Sequence, residues 1–395
     1  MKVVSINLGN AGSTGNIARN IKKYAALHGI EVFTAYPASK SVRPKETNDI
    51  IIGNDLFRRI NRKLAVYTGL NGCFSFHATL KLLAEIKTIN PEIIHLHNLH
   101  HSYINLPLLF NYLRKSRVKT IWTLHDCWAF TGQCAHFTMA KCDKWKSGCY
   151  ECTQINYYPE AKVDQTNLMW KLKRKWFCGI DNLVLVTPSQ WLANLVKSSF
   201  LKDYEVQVIN NGIDASIFKP TKTDLRERLN CSKKTIILGV AFGWGEKKGY
   251  DVFLKLADDL PENYQIIIVG KVGSYPKNNR IIYIDRTHDQ QKMVGLYSIA
   301  DMLVNTTREE NFPTVNIEAL ACGTPVITFR TGGSPEIIDE SSGIVVECDD
   351  YDGLKNAIEY VGNNKPFTKT DCIIRSKQFT IEHMLSEYIE LYKRI

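Results

Sequence analysis

The chain of 395 residues, 44% hydrophobic and 23% charged, is longer than one hydrophobic core usually organises, so two domains are expected. No apolar run approaches the roughly 18 residues that span a membrane. Residues 1–9 are too short and too strand-like for a signal peptide, which points to a cytoplasmic protein. The net charge of +10 suits nucleic acid, an anionic membrane surface or a phosphorylated substrate. Eleven cysteines without a secretion signal argue against a disulfide framework.

A first strand, residues 2–8, runs through Gly9-Asn10-Ala11-Gly12-Ser13-Thr14-Gly15-Asn16 into a helix expected over 17–28. Such a Gly-rich turn can hold a phosphate or bring a ligand close to the backbone. The spacing is not the dinucleotide fingerprint Gly-x-Gly-x-x-Gly, and the second strand, 31–35, closes on no acidic residue. Residues 57–64 and 170–177 interleave basic and apolar side chains. They read either as solvated helix faces or as contacts to an anionic membrane surface or a lipid-pyrophosphate-linked substrate. No nucleic-acid module accompanies the charge, so nucleic acid is not an expected partner.

Residues 91–101 read as a buried strand ending in a histidine-rich turn. His95 and His97 share one face, and His100 and His101 lie in the loop. Their spacing fits no zinc pattern, which favours polar groups facing a substrate. The next strand, 120–124, delivers His125 and Asp126 at its carboxyl end, where α/β sheets place functional residues. Five cysteines then fall between Cys127 and Cys152. Of these, Cys134, Cys142, Cys149 and Cys152 make either a four-thiolate structural zinc site or a set of free thiols in a packed loop. A strand over 182–189, with Ser189 capping the next helix, and a segment 206–214 ending in a turn lead to a polar linker.

A second series opens with strand 235–241. Its loop, Phe242-Gly243-Trp244-Gly245-Glu246-Lys247-Lys248-Gly249, sets two lysines before a helix, where they can neutralise phosphate. Strands 265–270, 280–285 and 300–305 follow, then residues 308–325 and a strand at 326–329. The stretch 308–325 reads as a helix with Asn311 as cap, Pro313 in the first helical position and Gly323-x-Pro325 at its end. Its N-terminus would point from the carboxyl edge of a parallel sheet, a phosphate site. Glu310 and Glu318 flank that site, and carboxylates accept hydrogen bonds from hydroxyls, so a sugar nucleotide is the ligand suggested. In the final helix, from about 381, Leu385, Tyr388, Ile389 and Tyr392 stand at helical spacing for core packing.

In this order these segments resemble the retaining glycosyltransferases of family 4, with two Rossmann-like doubly wound α/β domains facing across a cleft (the GT-B architecture). The signature is Glu310, seven residues, then Glu318; Lys248-Gly249, His125 and the turn Gly9–Asn16 match as well. So do Asn210-Asn211-Gly212-Ile213-Asp214 with Phe218, and Thr331-Gly332-Gly333-Ser334-Pro335-Glu336. His125-Asp126-Cys127-Trp128-Ala129-Phe130-Thr131-Gly132 with the trailing cysteines is similar to a subgroup of exopolysaccharide, capsule and O-antigen assembly.

The resemblance implies an acceptor-side domain over 1–212 with a Cys-rich loop at 127–152, a linker at 213–232, and a donor domain over 233–377. A terminal helix over 378–395 is expected to return to the first domain. It implies Glu310, His125 and Lys248 as catalytic residues. Gly12, Ser13, Gly15, Gly243, Lys247, Asn311, Phe312, Pro313, Thr314 and Glu318 would bind the donor. The diphosphate would lie between Lys248 and the amides of 311–314, Glu318 on the ribose, and Glu310 and His125 on the transferred sugar. A UDP-sugar is the first expectation and a GDP-sugar the alternative, with the base held near 284–286. The acceptor would be a saccharide or an undecaprenyl-diphosphate-linked acceptor, with the inner face of the plasma membrane as a further expected partner. No cofactor is implied for catalysis; zinc in the Cys loop would be structural. The family's arginine before the lysine is missing, its place taken by Phe242-Gly243-Trp244. Among rivals, a sugar-nucleotide 2-epimerase shares the architecture, an oxidoreductase fails on the glycine spacing, and a zinc-containing nucleic-acid binder leaves Glu310 and Glu318 unexplained.

Overall fold

The structure, a computed structural model, describes residues 1–39, 43–273, 278–287 and 289–395. It divides into two compact units, Met1–Ile209 with Leu385–Ile395, and Asn210–Met384. Among the described residues no helix is long and apolar enough to cross a membrane.

Unit one is built on β1 (Lys2–Ile6), β2 (Glu31–Pro37), β3 (Asp49–Ile52), β4 (Ile93–Leu96), β5 (Lys119–Thr123), β6 (Leu183–Thr187) and β7 (Glu205–Val208). The strand order is β3-β2-β1-β4-β5-β6-β7, every pair parallel. The Val/Ile-rich runs that sequence reasoning selects are the inner strands, buried on both faces as parallel sheets require. The edge strand β3 was not expected. The chain leaves β1 for β2 on one side and β4 on the other, so the crevice of this sheet opens where β1 and β4 end.

Unit two repeats the scheme with β8 (Thr235–Gly243), β9 (Tyr264–Lys271), β10 (Ile281–Ile284), β11 (Met302–Asn305), β12 (Val326–Phe329) and β13 (Gly343–Val346). The order is β10-β9-β8-β11-β12-β13, again parallel, with the switch between β8 and β11. Ile236 and Leu238 face one apolar cluster and Ile237 the other, so both faces of the sheet are covered.

Two local expectations shift and a third holds. Helix α1 spans Gly12–Leu27, so Gly12, Ser13 and Gly15 form its first turn rather than a loop before it. The stretch 213–232, read as a linker, sends Ile213 and Phe218 into the core of unit two, and Arg226 pairs with Asp301 at 2.7 Å. The last helix, Ile381–Arg394, buries Leu385, Tyr388, Ile389 and Tyr392 as its spacing predicts. Its tyrosines also have polar partners: Tyr392 hydroxyl lies 2.7 Å from His95 Nδ1, and Tyr388 hydroxyl 3.2 Å from Thr123 Oγ1. Thr123 Oγ1 is 2.8 Å from His95 Nε2, so both nitrogens of this buried imidazole are satisfied.

Candidate functional site

In unit two the loops after β8 and β11 meet at the sheet's switch point. The turn Glu246–Lys248 ends at Gly249, whose φ of +69° favours glycine. A Cβ there would also run into the Thr306 carbonyl, so the absence of a side chain lets the lysine turn lie against the β11 loop. Lys248 Nζ donates to Glu310 Oε2 at 2.8 Å, and the Asn311 amide donates to Glu310 Oε1 at 3.1 Å. One carboxylate thus bridges a lysine and a backbone amide at the foot of a helix. Lys247 pairs with the buried Glu309. Arg308 braces the turn from behind: its amide donates to the Lys247 carbonyl at 2.8 Å. Its guanidinium reaches Asp251 at 2.7 and 2.8 Å, Asp349 at 2.7 Å and the Glu246 carbonyl at 2.6 Å.

The helix itself is Thr314–Ala321, with Pro313 as N-cap. Asn311 is therefore not the cap, and Pro313 stands one position before the helix. The cause is the turn after β12: the Asn311 carbonyl accepts from Gly333 N at 2.7 Å, and Gly332, at φ +57°, lies too close to the Glu310 carbonyl to carry a side chain. Pro313 has no N–H to offer a phosphate. The Phe312 side chain is in the core, 5.6 Å from Phe379, so only its backbone can face a ligand. Glu318 sits just over one turn into the helix, half-buried, and accepts from Tyr297 hydroxyl at 2.7 Å. Burial raises its pKa, against the hydrogen bonds from Tyr297 and Thr314.

Gly243 ends β8 and is exposed. Beside it Trp244 is a structural anchor, donating from Nε1 to the Val269 carbonyl at 3.0 Å and meeting Phe253 edge-on. Phe242 is 71% exposed, with the Arg286 guanidinium 3.8 Å above its ring. A cation therefore stands next to the position where the family's arginine is missing, supplied by the loop that follows β10. The Asp-x-Asp triplet of this unit, Asp350-Tyr351-Asp352, is a helix start: Asp350 accepts from Gly353 N at 2.9 Å.

In unit one Gly12 and Ser13 are exposed at the start of α1, whose cap residue Ala11 makes no side-chain bond. The amides of a first turn have no partner inside their helix. Gly15 is structural, since a Cβ would stand 2.7 Å from the Asn10 carbonyl carbon. Asn10 and Asn16 hold Arg43 beside this turn at 2.8 and 3.1 Å, a cation that sequence reasoning passed over.

His125 follows β5 and is half-buried. Its Nε2 lies 3.2 Å from His97 Nδ1, and the two rings stack at 17°. Burial lowers the His125 pKa to about 4, with Asp126 pulling it up and His100 adding to the fall. His97 is held well below the usual histidine range by burial, and its Nε2 has no partner among the described residues. Asp126 would be raised by burial, but the hydrogen bond from His100 and the nearby His100 and His136 hold its carboxyl at about 2. His100 Nε2 is 3.3 Å from Asp126, and its Nδ1 is 2.7 Å from the Tyr158 hydroxyl. An acidic partner for the histidine turn thus comes from the end of the neighbouring strand β5.

The basic segment at 170–177 is not a solvated cationic face throughout. It lies in the helix Thr166–Phe177, and Lys173 is fully buried. Its Nζ donates to the Trp128 and Thr131 carbonyls at 2.7 and 3.0 Å and lies 3.6 Å from the Trp128 ring. Burial lowers this ammonium to about 7, against the pull of Cys149, Cys134 and Asp126. Lys173 therefore ties down the loop that follows His125 and Asp126. All eleven cysteines are free thiols. Cys134, Cys142, Cys149 and Cys152 line one cavity of about 240 Å³, but no three His, Cys, Asp or Glu side chains among the described residues are grouped to hold a metal. Cys149 Sγ instead accepts from Gly132 N at 3.2 Å, and Cys134 and Cys152 share a hydrogen bond that lowers Cys152 and raises Cys134.

A family model described as Glycosyltransferase Family 4 matches residues 14–217, more than half of the chain. The chain belongs to glycosyltransferase family 4. A second model, Glycosyl transferases group 1, matches 221–378 of the same family 4 chain. The putative colanic acid biosynthesis glycosyl transferase WcaC of Escherichia coli K12 is 28% identical over 326 residues, covering 78% of each chain. The N-acetyl-alpha-D-glucosaminyl L-malate synthase of Bacillus anthracis is 25% identical over 233 residues, 54% of this chain and 60% of its own. Among solved structures, sucrose-phosphate synthase from Thermosynechococcus elongatus aligns with a TM-score of 0.73 at 19% identity, over 100% of this chain and 98% of its own. Anabaena HepE in complex with UDP-glucose gives 0.66 at 15% identity over 100% of both. These likenesses establish the two-domain GT-B fold of a glycosyltransferase.

Proposed function

We propose that this family 4 enzyme moves a hexose-type sugar, with retention, from a nucleotide-diphosphate sugar to a saccharide acceptor carried on a lipid in surface-polysaccharide assembly. The likeness to WcaC, named for colanic acid biosynthesis, supports the pathway class, and the solved neighbours in complex with UDP and UDP-glucose support a UDP-sugar before a GDP-sugar.

The observation that carries the reading is the Glu310 carboxylate held between Lys248 and the Asn311 amide at a helix N-terminus. These are groups that bind phosphate. A diphosphate arriving there would displace Glu310 and leave it beside the sugar, while Glu318 takes the ribose hydroxyls. In the reaction the bond from the anomeric carbon to the diphosphate oxygen breaks. The acceptor oxygen bonds that carbon on the same face, and its proton passes to the leaving phosphate. Stabilising the departing charge is the main demand, and Lys248 with the helix amides answers it without a metal.

The test is thermal unfolding with a panel of sugar nucleotides, alongside turnover. A UDP-hexose should stabilise the wild type by mass action. Lys248→Ala should lose that stabilisation. Glu310→Gln should keep or strengthen UDP binding yet lose on the order of a hundredfold in transfer. Stabilisation by GDP-sugars alone would reassign the base; near-normal transfer by either variant would sink the assignment.

A further inference from the structure

Of the two basic segments, one is built to meet a surface. Helix α2 (Asp55–Thr68) buries a single residue, Ala65. At 3.6 residues per turn, Leu56, Tyr67, Ile60, Leu64 and Phe57 fall within one arc of about 100° on its outer side. All five are open to water, from 42% exposed at Ile60 to 65% at Leu56 and Tyr67. Arg59 and Lys63 border the arc along one flank and are exposed as well. Phe76 and Leu80 of α3 (Phe76–Ile89) are further exposed apolar side chains, as is Ile51 of the edge strand β3. A groove of about 720 Å³, lined among others by Phe57, Phe76, Lys81 and Glu85, runs between these elements. The helix Thr166–Phe177 lacks this pattern: it buries five residues, Lys173 among them, and Leu168 is its one large apolar side chain among the exposed residues.

We propose that α2 lies in the surface of an anionic phospholipid bilayer, with its apolar arc at the boundary of headgroups and acyl chains. An apolar stripe of this size on a soluble face marks an interaction site. The charge beside it chooses the occupant. Arg59, Lys63, Arg62 and Lys81 are cationic, whereas of the acids nearby Asp55 is already paired with Arg58 at 2.6 Å, which leaves Glu85. A helix with an apolar arc flanked by cations fits an interfacial position, where anionic headgroups take the cations. The proposal does not depend on the reaction, since binding is read without turnover.

Co-sedimentation of the full chain with phosphatidylcholine vesicles, with and without phosphatidylglycerol, tests it. Binding should require phosphatidylglycerol and weaken in high salt. Arg59→Ala with Lys63→Ala should lower the partition coefficient about 25-fold, at roughly fivefold per cation. Leu56→Gln, Ile60→Gln and Leu64→Gln together should lower it at least about tenfold. Neither set should move the melting temperature, because these side chains stand in water. Unchanged partitioning, or equal binding to both vesicles, would overturn the proposal. So would a dimer, seen by light scattering, that the three glutamines dissolve while vesicle binding persists.

Discussion

Lys173→Met should change how stability depends on pH. The folded ammonium titrates at about 7 and the unfolded one at 10.5. Between those values the unfolded chain holds the extra proton, so the wild type gains stability as pH rises, by up to about 1.4 kcal/mol per pH unit. Integrated from about pH 7 to about pH 9, the gain is about 2 kcal/mol. The variant lacks this titration and also leaves the buried Trp128 and Thr131 carbonyls without their donor, a loss of about 1–3 kcal/mol. Cys152, whose thiol is lowered by its bond to Cys134, adds a rise of the same sign to both proteins. The quantity to follow is therefore the difference between wild type and variant in urea unfolding at several pH values. Wild-type stability minus variant stability should rise by about 2 kcal/mol towards alkaline pH. Parallel curves would mean that Lys173 keeps its proton in the fold and that burial does not govern it.

Two further outcomes bear on the site. Gly249→Ala puts a Cβ at φ +69° against the Thr306 carbonyl; about 1–3 kcal/mol of destabilisation is expected, read as a lower melting temperature, with a larger loss of UDP-sugar stabilisation because Lys248 is displaced. His125→Gln should flatten the acid limb of stability: with a folded pKa of about 4 against 6.5, the unfolded chain binds the proton first on acidification, so the wild type loses up to about 3 kcal/mol between those values and the variant does not. An unchanged acid limb in urea titrations at graded pH would refute the buried, neutral imidazole.

The sheets were legible because buried parallel strands are continuous Val/Ile/Leu runs, which is why β1, β8, β9 and β12 stand where expected. β3 and β13 escaped, being four-residue strands at sheet edges. The end of β11 and the helix after it were legible too, but not the cap, which depends on Gly333 donating to the Asn311 carbonyl across 22 residues of sequence. Lys173 could have been found. Thr166, Met169, Trp170, Lys173 and Phe177 follow the spacing of a buried helical face, with the lysine in the middle of it. Nothing in the sequence links Arg308 to Asp251 and Asp349, or Arg286 to Phe242; those partnerships are made by the sheet order alone.

The distribution of cations in unit two also separates scaffold from site. Arg308 is committed to two aspartates and a carbonyl, and Lys247 is paired with a glutamate that is almost wholly buried. Displacing Glu309 would leave a buried charge uncompensated, so a donor phosphate has little to gain there. Lys248 is different, since both it and Glu310 remain partly open to solvent. A diphosphate brings more charge than one carboxylate and can take the Asn311 amide at the same time, so the exchange is favourable where the Lys247 pair would resist it. On this reading Lys247 and Arg308 fix the loops, and the Lys248–Glu310 pair is the one that opens. Under the proposed function, the acid released by the phosphate would be the acid that meets the sugar, which would couple filling of the phosphate site to completion of the sugar site.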